Sequence, residues 1–503
     1  MNILVTGGSG FLGKHLITSL LNEEYNVTVI GREEIKGSGI RWIKHDLLHQ
    51  PPEEIRSQLK DIDTIVHLAA IMPSKTGEES EMIIQNRKIT QHALSLVALP
   101  KKVILASSVD VYPYLDTPVD EKTPLNPSSL YGQSKKESEE ECMQWSKSNP
   151  QANLTILRFS HLYGPADTNI KMIDSLVRNA LLGKKNIIYN NGKDKRTYLF
   201  VEDAVQAILL SLKKKKSGIF NVGGSNSYSI KEVITYIEEI LGVKMNLEII
   251  SNHKISSKKG SSIVSSQKFA EAIGFTAKID LQKGLGQLLP KNILFDLDGP
   301  VLDVKERYYF NYKNFVLLHR GNPLSLEKYW EKKRQNTSLE RLLDLSDCPG
   351  LAAEKKLYLS KHREEMSSLK LDKLQPDIKE ILSNLSKRYD LYLITLRRNK
   401  ENLLKQLGEL GILTYFREVL TRTPTTEEKW NHKVELLKEH QLEKQSGIII
   451  GDTPTEILAG KKVGLTSIAV SNGIRTKENL LQAEPDLIIN SVEELQSLPF
   501  FKR

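Results

Sequence analysis

At 503 residues the chain is longer than one hydrophobic core usually supports, so two or three domains are expected. Hydrophobic residues make up 39% and charged residues 26%, which is ordinary for a soluble globular protein. The net charge of +9 would suit nucleic acid, but Lys and Arg are interleaved with Glu and form neither the arm nor the stripe that duplex binding needs; a mild positive bias also suits phosphorylated small molecules.

In chain order, short apolar strands alternate with helical segments almost throughout, the pattern of parallel sheets covered by helices. Ile3 to Val5 is a strand, Thr6-Gly-Gly-Ser-Gly-Phe-Leu-Gly13 a turn, and Lys14 to Leu21 a helix. Gly7 allows the tight turn, Gly10 lets backbone amides approach a pyrophosphate, and Gly13 permits close helix–strand packing. The helix N-terminus then faces the phosphates. The next strand, Val27 to Ile30, ends in Gly31-Arg32, where an acid would take a ribose hydroxyl and an Arg a 2′-phosphate. Arg32 leans toward NADP, while Glu33 and Glu34 directly after it keep NAD open.

Val103 to Ser107 is a strand ending at Ser108, and Tyr131-Gly-Gln-Ser-Lys135 sets a phenol and an ammonium one helical turn apart on one face. The cation is expected to lower the phenol pKa, and Ser108 to bind the same substrate oxygen. That trio suits proton transfer at a hydroxyl while hydride passes to nicotinamide. The run Lys213 to Lys216 follows an apolar helix and is expected to be a solvated C-terminal end. Leu281 to Pro290 reads as a last helix and a very short linker, which puts a boundary near residue 289.

These residues resemble the extended short-chain dehydrogenase/reductases, in the NAD-dependent epimerase/dehydratase group of nucleotide-sugar enzymes. The resemblance covers residues 1 to about 288. It implies a doubly wound Rossmann sheet with a small substrate-binding subdomain. The cofactor residues it implies are Gly7, Gly10, Phe11, Leu12, Gly13, Arg32, Asp46, Leu47, Leu68, Ala69, Ala70, Tyr131 and Lys135. Asp46-Leu47 resembles the edge of an adenine pocket, and Asp63 to Ala70 the strand beneath the cofactor, with His67 packed there rather than catalytic. Asn86 matches a structural, proton-relay asparagine, and Ser108, Tyr131 and Lys135 match the catalytic set. Arg158 to Pro165, Arg196 to Asp203 and Phe220 to Gly224 resemble substrate-side segments, with His161, Arg196 and Tyr198 as substrate-binding residues. His161 replaces the usual Asn; it is either a donor to a diphosphate or a pocket-wall residue. Val109-Asp110 replaces the Asp–Glu pair of dehydratases, which argues against 4,6-dehydration.

The pattern restarts at Asn292 to Phe295, a strand followed by Asp296-Leu-Asp298-Gly299. Two carboxylates there can share one centre: one attacks phosphorus, and the other stays protonatable to serve the leaving oxygen and activate water. Their repulsion with phosphate calls for a hard cation with oxygen ligands, hence Mg²⁺. Tyr389 to Ile394 is a strand ending in Thr395, and Ile448 to Glu456 is another ending in acids. Lys433 opens the helix KVELLKEH; Lys429, a turn earlier, has acceptable spacing too, but Leu436 and Leu437 favour Lys433 at the helix start. Residues 291 to about 503 thus resemble haloacid dehalogenase phosphatases. The implied roles are Asp296 nucleophile, Asp298 acid/base, Thr395 and Lys433 phosphate binding, and Asp296, Asp298, Asp452 and Glu456 around the metal. Pro300 replaces the usual Thr or Val and stiffens the turn. The 99 positions from Asp296 to Thr395 exceed a bare fold, so residues 304 to about 375 are expected to form a helical cap.

The expectation is therefore a bifunctional α/β enzyme, residues 1–289 an NAD(P)-binding nucleotide-sugar epimerase or keto-sugar reductase and 290–503 a Mg²⁺-dependent phosphatase. The alternative is a dinucleotide-sensing module that regulates the phosphatase, which the Ser108/Tyr131/Lys135 set disfavours. Expected partners are nucleotide-sugar and phosphorylated small-molecule substrates, with a homodimer as the candidate assembly and neither nucleic acid nor membrane. The only cysteines, Cys142 and Cys348, fall in different halves, which excludes a disulfide framework and fits a reducing, cytoplasmic compartment. No apolar run approaches the roughly 18 residues of a membrane span, and no signal-peptide pattern precedes the first strand.

Overall fold

The strand Lys102–Ser108 is buried at every position, as a central parallel strand covered on both faces must be. In the computed structural model, which describes residues 1–35, 37–73, 79–169, 171–250, 261–425 and 428–502, it lies inside a seven-stranded sheet. The order across that sheet is Gly218–Val222, Asn153–Phe159, Lys102–Ser108, Thr64–His67, Asn2–Thr6, Asn26–Gly31, Ile40–Lys44. All six pairings are parallel. Side chains alternate faces, so Ile3 and Val5 join one core cluster with helices Phe11–Asn22 and Val201–Lys213. Leu4 joins the other, with Ile89, Ala93 and Cys142. The chain order reverses beside Asn2–Thr6, so the glycine turn sits at the switch point where doubly wound folds bind ligands. A smaller sheet holds Ser227–Ser229, Lys195–Phe200, Ser262–Val264 and Leu115–Val119, with His161–Tyr163 paired to Lys195–Phe200.

Two buried cations brace this unit. The Lys102 ammonium donates to the carbonyls of Ser211, Leu212 and Lys214 at 2.6, 3.0 and 2.5 Å, satisfying the C-terminal end of helix Val201–Lys213. Lys213 to Lys216 beyond it are exposed. Arg158, in the segment expected to face substrate, instead points into the core. Its guanidinium clasps Glu139 at 2.6 and 2.9 Å and the Tyr112 hydroxyl at 2.6 Å, and Glu139 also accepts from Ser107 at 2.5 Å. Arg158 is 3% exposed and Glu139 is fully buried. Arg158→Ala strands the Glu139 charge and is expected to cost about 3–5 kcal/mol. An unchanged urea midpoint for unfolding of this unit would show the pair to be idle.

The chain forms two compact units: 1–164, 185–240 and 245–286 in one, and 165–184, 241–244 and 287–503 in the other. Helix Met172–Leu181 groups with the second because Arg178 donates to the Gly464 and Leu465 carbonyls and to Asp486. The second unit carries a six-stranded parallel sheet ordered Glu418–Thr421, Asp390–Thr395, Asn292–Phe295, Gly447–Gly451, Thr466–Val470, Leu487–Ile489. A short antiparallel pair, Leu302–Asp303 with Lys373–Leu374, brackets five helices between Lys305 and Leu369. These helices have a core of their own around Tyr312, Phe315, Tyr329 and Leu343. Both cysteines are buried and free, and among the described residues no helix is long and apolar enough to cross a membrane.

Candidate active sites

The glycine turn is built for close approach. Gly7 has φ +70, and a Cβ there would strike the backbone of Leu68 and Ala69. At Gly13 a Cβ would meet Gly7 and Gly8, so helix Phe11–Asn22 can pack this closely only without a side chain. Gly10 is the helix N-cap; its Cβ would meet only the Gly7 carbonyl. No side chain caps this helix and its first turn holds no acid, so the positive end of its dipole is suited to an anion. Phe11 and Leu12 begin the helix, and Leu68 to Ala70 lie against the turn, with Ala69 N–H bonded to Thr6 Oγ1 at 3.2 Å. Arg32 is exposed after Asn26–Gly31. Asp46 accepts the Leu48 N–H at 3.1 Å, and the Leu47 carbonyl engages His92 at 2.8 Å. A dinucleotide fits this cradle.

Helix Leu130–Ser148 brings Tyr131 and Lys135 together, the ammonium 5.8 Å from the ring centroid. Its start packs on the turn after Ser108, where a Cβ at Gly132 would strike the Asp110 carbonyl. Ser108 donates to the Asp110 carboxylate at 3.2 Å and accepts the Asp110 N–H at 3.1 Å, so it is engaged with Asp110 rather than with Tyr131. Lys135 donates to the Ala106 carbonyl at 2.9 Å, and burial brings it down to about 8. Contrary to expectation, the phenol is not acidified: burial, with Asp110 nearby, holds Tyr131 above the ordinary tyrosine range. His67 bridges Thr6 at 2.7 Å and Thr90 at 3.1 Å, and burial with Lys135 nearby drops it to about 3, the state of a neutral structural imidazole. Asn86 pins both polar groups of the Ile71 backbone and reaches Ser134 at 3.1 Å. On the small sheet, Tyr198 pairs in register with His161, their rings 6.0 Å apart, and Arg196 Nη1 and the Tyr198 hydroxyl are buried without hydrogen-bond partners.

In the second unit three strand ends converge. Asp296 follows Asn292–Phe295, Thr395 ends Asp390–Thr395, and Asp452 follows Gly447–Gly451. Asp296, Asp452 and Glu456 each bring an oxygen within 4.8 Å of the others, all buried. Glu456 caps helix Pro454–Val463 in a reciprocal box with Thr453 and accepts Lys433 at 2.5 Å. Lys433 also donates to Asp296 at 2.6 Å and the Ile394 carbonyl at 3.1 Å. The helix begins at Lys429, so Lys433 stands one turn inside it and not at its start. Asp452 Oδ2 accepts the Ile474 N–H at 2.5 Å, but its Oδ1 is buried with no partner. Burial, Asp296 and Glu456 drive the Asp452 carboxyl far above the usual range. An orphaned carboxylate oxygen among all-oxygen donors fits a hard divalent cation.

Asp298 departs from expectation twice. It stands apart from that carboxylate triad, and it is not kept protonatable. Arg307 donates to it at 2.6 Å and Arg397 forks onto its other oxygen. Burial opposes its charge, yet the two guanidinium groups hold it well below the usual carboxylate range. Both arginines also grip Asp372, at 2.8 and 3.1 Å.

Residues 3–223 match the model of the NAD dependent epimerase/dehydratase family, and 293–470 that of the haloacid dehalogenase-like hydrolases. A UDP-N-acetyl-alpha-D-glucosaminuronate decarboxylase of Bacillus cytotoxicus is 31% identical over 264 residues, 47% of this chain and 79% of its own length. The chain belongs to the NAD dependent epimerase/dehydratase family. Among solved structures, MoeE5 in complex with UDP-glucuronic acid and NAD is similar at TM-score 0.51 and 28% identity, over 57% of this chain and 96% of that one. The UDP-glucuronic acid 4-epimerase of Bacillus cereus, also with UDP-glucuronic acid and NAD, is similar at 0.51 and 25%, over the same shares. The chain is thus an enzyme that joins a nucleotide-sugar epimerase/decarboxylase-like, NAD-dependent domain to a haloacid dehalogenase-like hydrolase domain.

Sequence reasoning missed several residues of the epimerase/dehydratase domain. Thr90, Ser134 and Ser138 join His67 and Asn86 in a buried hydroxyl chain that locks the tyrosine helix to its neighbour. Asn86 and Thr90 on one helix and Ser134 and Ser138 on its neighbour, each pair four apart, were the available signal. In the hydrolase domain Arg307, Asp372, Arg397 and Gln406 form a network around Asp298 that no local motif announces.

Proposed function

We propose that residues 1–289 interconvert UDP-sugars by reversible oxidation at a sugar carbon with tightly held NAD, and that residues 290–503 are a Mg²⁺-dependent phosphomonoesterase. The sugar half is carried by Tyr131 and Lys135 on a helix packed against the Ser108 turn. Tyr131 exchanges a proton with the sugar hydroxyl, Ser108 with Asp110 orients that oxygen, and Lys135 holds the ribose side. NAD, when bound over the glycine turn, supplies the hydride acceptor. NAD is preferred over NADP because the similar structures hold NAD; Arg32, exposed, remains available to a phosphate. Val109 supports epimerisation over dehydration, and the orphan Arg196 nitrogen favours an anionic group on the substrate.

The hydrolase half is carried by the unpartnered Asp452 oxygen beside Asp296 and Glu456. Asp296 attacks phosphorus, the ester oxygen departs and takes its proton from water because Arg307 and Arg397 keep Asp298 ionised, and water then cleaves the aspartyl phosphate. Thr395 and Lys433 hold the phosphoryl oxygens. Asp296 and Asp452, with Glu456 behind them, would hold a divalent ion, which would supply charge neutralisation between carboxylate and phosphate.

The test incubates the full chain with UDP-glucuronic acid and UDP-glucose, and separately with p-nitrophenyl phosphate. Copurified NAD, a 4-epimer without added cofactor, and phosphate release that EDTA stops and Mg²⁺ restores are expected. Phosphate release undiminished by EDTA would overturn the metal assignment. Bound dinucleotide with no conversion of any UDP-sugar would favour a sensing domain instead.

A further inference from the structure

Around Tyr308 the hydrolase domain gathers more positive charge than its carboxylates use. Arg307, Lys333 and Arg363 place their cations 5.3, 5.3 and 5.8 Å from the Tyr308 ring centroid. Arg475 donates to the Lys333 carbonyl at 3.1 Å and the Ile474 carbonyl at 3.2 Å, and Ile474 is the residue whose N–H holds Asp452. Arg307 bonds Asp298 directly. The cations therefore border the carboxylate site.

Asp296, Asp298, Asp372, Asp452 and Glu456 are matched by Lys433, Arg307, Arg397 and the divalent cation proposed above. Lys333, Arg363, Lys429 and Arg475 make no ion pair among the described residues. Four unneutralised cations equal the charge of two phosphate dianions. Their crowding is costly without a ligand: burial, then Arg475, Arg363, Lys429 and Lys355, bring the Lys333 ammonium down to about 7. Lys429 opens the helix that carries Lys433 and is exposed.

We infer that Lys333, Arg363 and Arg475 receive a second phosphate of the substrate, so that this domain hydrolyses a phosphomonoester that bears another phosphate group in preference to a simple monophosphate. The inference rests on the phosphatase reading. One phosphorus–ester bond breaks and one phosphorus–oxygen bond to water forms; the departing ester oxygen takes one proton of that water to become the alcohol, and the second phosphate stays on the product.

The experiment compares glucose 1,6-bisphosphate, glucose 6-phosphate, 6-phosphogluconate and p-nitrophenyl phosphate on the full chain with Mg²⁺. Charge-assisted contacts of this kind predict kcat/KM about 10- to 100-fold higher for the bisphosphate than for glucose 6-phosphate. Arg363→Gln and Lys333→Met should collapse that ratio toward one, mainly through KM of the bisphosphate. Binding of glucose 1,6-bisphosphate to the Asp296→Asn chain, followed by calorimetry, should weaken on adding either substitution. A ratio near one in the parent, or one unchanged by both substitutions, overturns the inference and leaves the phosphatase reading standing. Preference for 6-phosphogluconate also overturns it, assigning the cations to a carboxylate. Phosphate release from none of the four probes sinks the phosphatase reading itself, and the inference with it.

Discussion

Asp296→Asn is expected to lower phosphate release by about 10³- to 10⁶-fold, the range for removing a nucleophile that works as part of a unit. An amide cannot attack phosphorus, and it is a weaker ligand for a divalent ion. The fold should tolerate the change. The Asp296 backbone is fixed by its N–H on the Ile450 carbonyl at 2.9 Å, and the side chains are nearly isosteric. Lys433 keeps Glu456 as an ion-pair partner. Substitution also removes one negative charge from three crowded carboxylates, where burial with Glu456 and Asp298 already pushes Asp296 up to about 7 against Lys433. The variant should therefore melt no lower than the parent in EDTA. Phosphate release and UDP-sugar conversion are measured in one preparation, by phosphomolybdate and by chromatography. Parental phosphate release would end the aspartyl-phosphate mechanism. Loss of sugar conversion in a folded variant would mean the two activities depend on one another.

What could be read from the sequence is what local spacing encodes. The glycine turn needed φ > 0 at Gly7 and missing side chains at Gly13, and both follow from a strand, a turn and a helix in succession. Asp296, Thr395 and Asp452 are legible because each ends an apolar strand of one parallel sheet. The failures involve partners distant in sequence. Arg158 opens a segment that resembles a substrate-side one, but Glu139, on another element, holds its guanidinium in the core. Asp298 looks like a free acid until Arg307 and Arg397, separated by 90 positions, close on it. The Lys433 helix starts a turn early, so its side chain reaches Asp296 from the helix interior. Tyr131 erred for a different reason. Lys135 is close in sequence, but desolvation of the phenol outweighs its charge and Asp110 raises the pKa further.

That last point shapes the expected result for Tyr131→Phe: turnover of UDP-sugars should fall by about 10²- to 10⁴-fold, the usual worth of a positioned proton donor, while NAD content stays near parental. Phenylalanine keeps the ring beside Lys135 and loses only the O–H. Lys135 is anchored by the Ala106 carbonyl, not by the phenol, so its position survives. The glycine turn is untouched. Asp110 supplies a second, signed readout. Its charge, after burial, is what holds the Tyr131 phenol up. Asp110→Asn removes the charge, keeps a side chain that can accept from Ser108, and so should lower the phenol pKa. The limb of the rate profile that needs deprotonated Tyr131 should then move to lower pH. The two variants are compared by the cofactor released on denaturation and by initial rates across pH. NAD lost along with turnover in Tyr131→Phe would make the tyrosine a packing residue. A profile that stays put or moves upward in Asp110→Asn would show that the carboxylate does not act on the phenol.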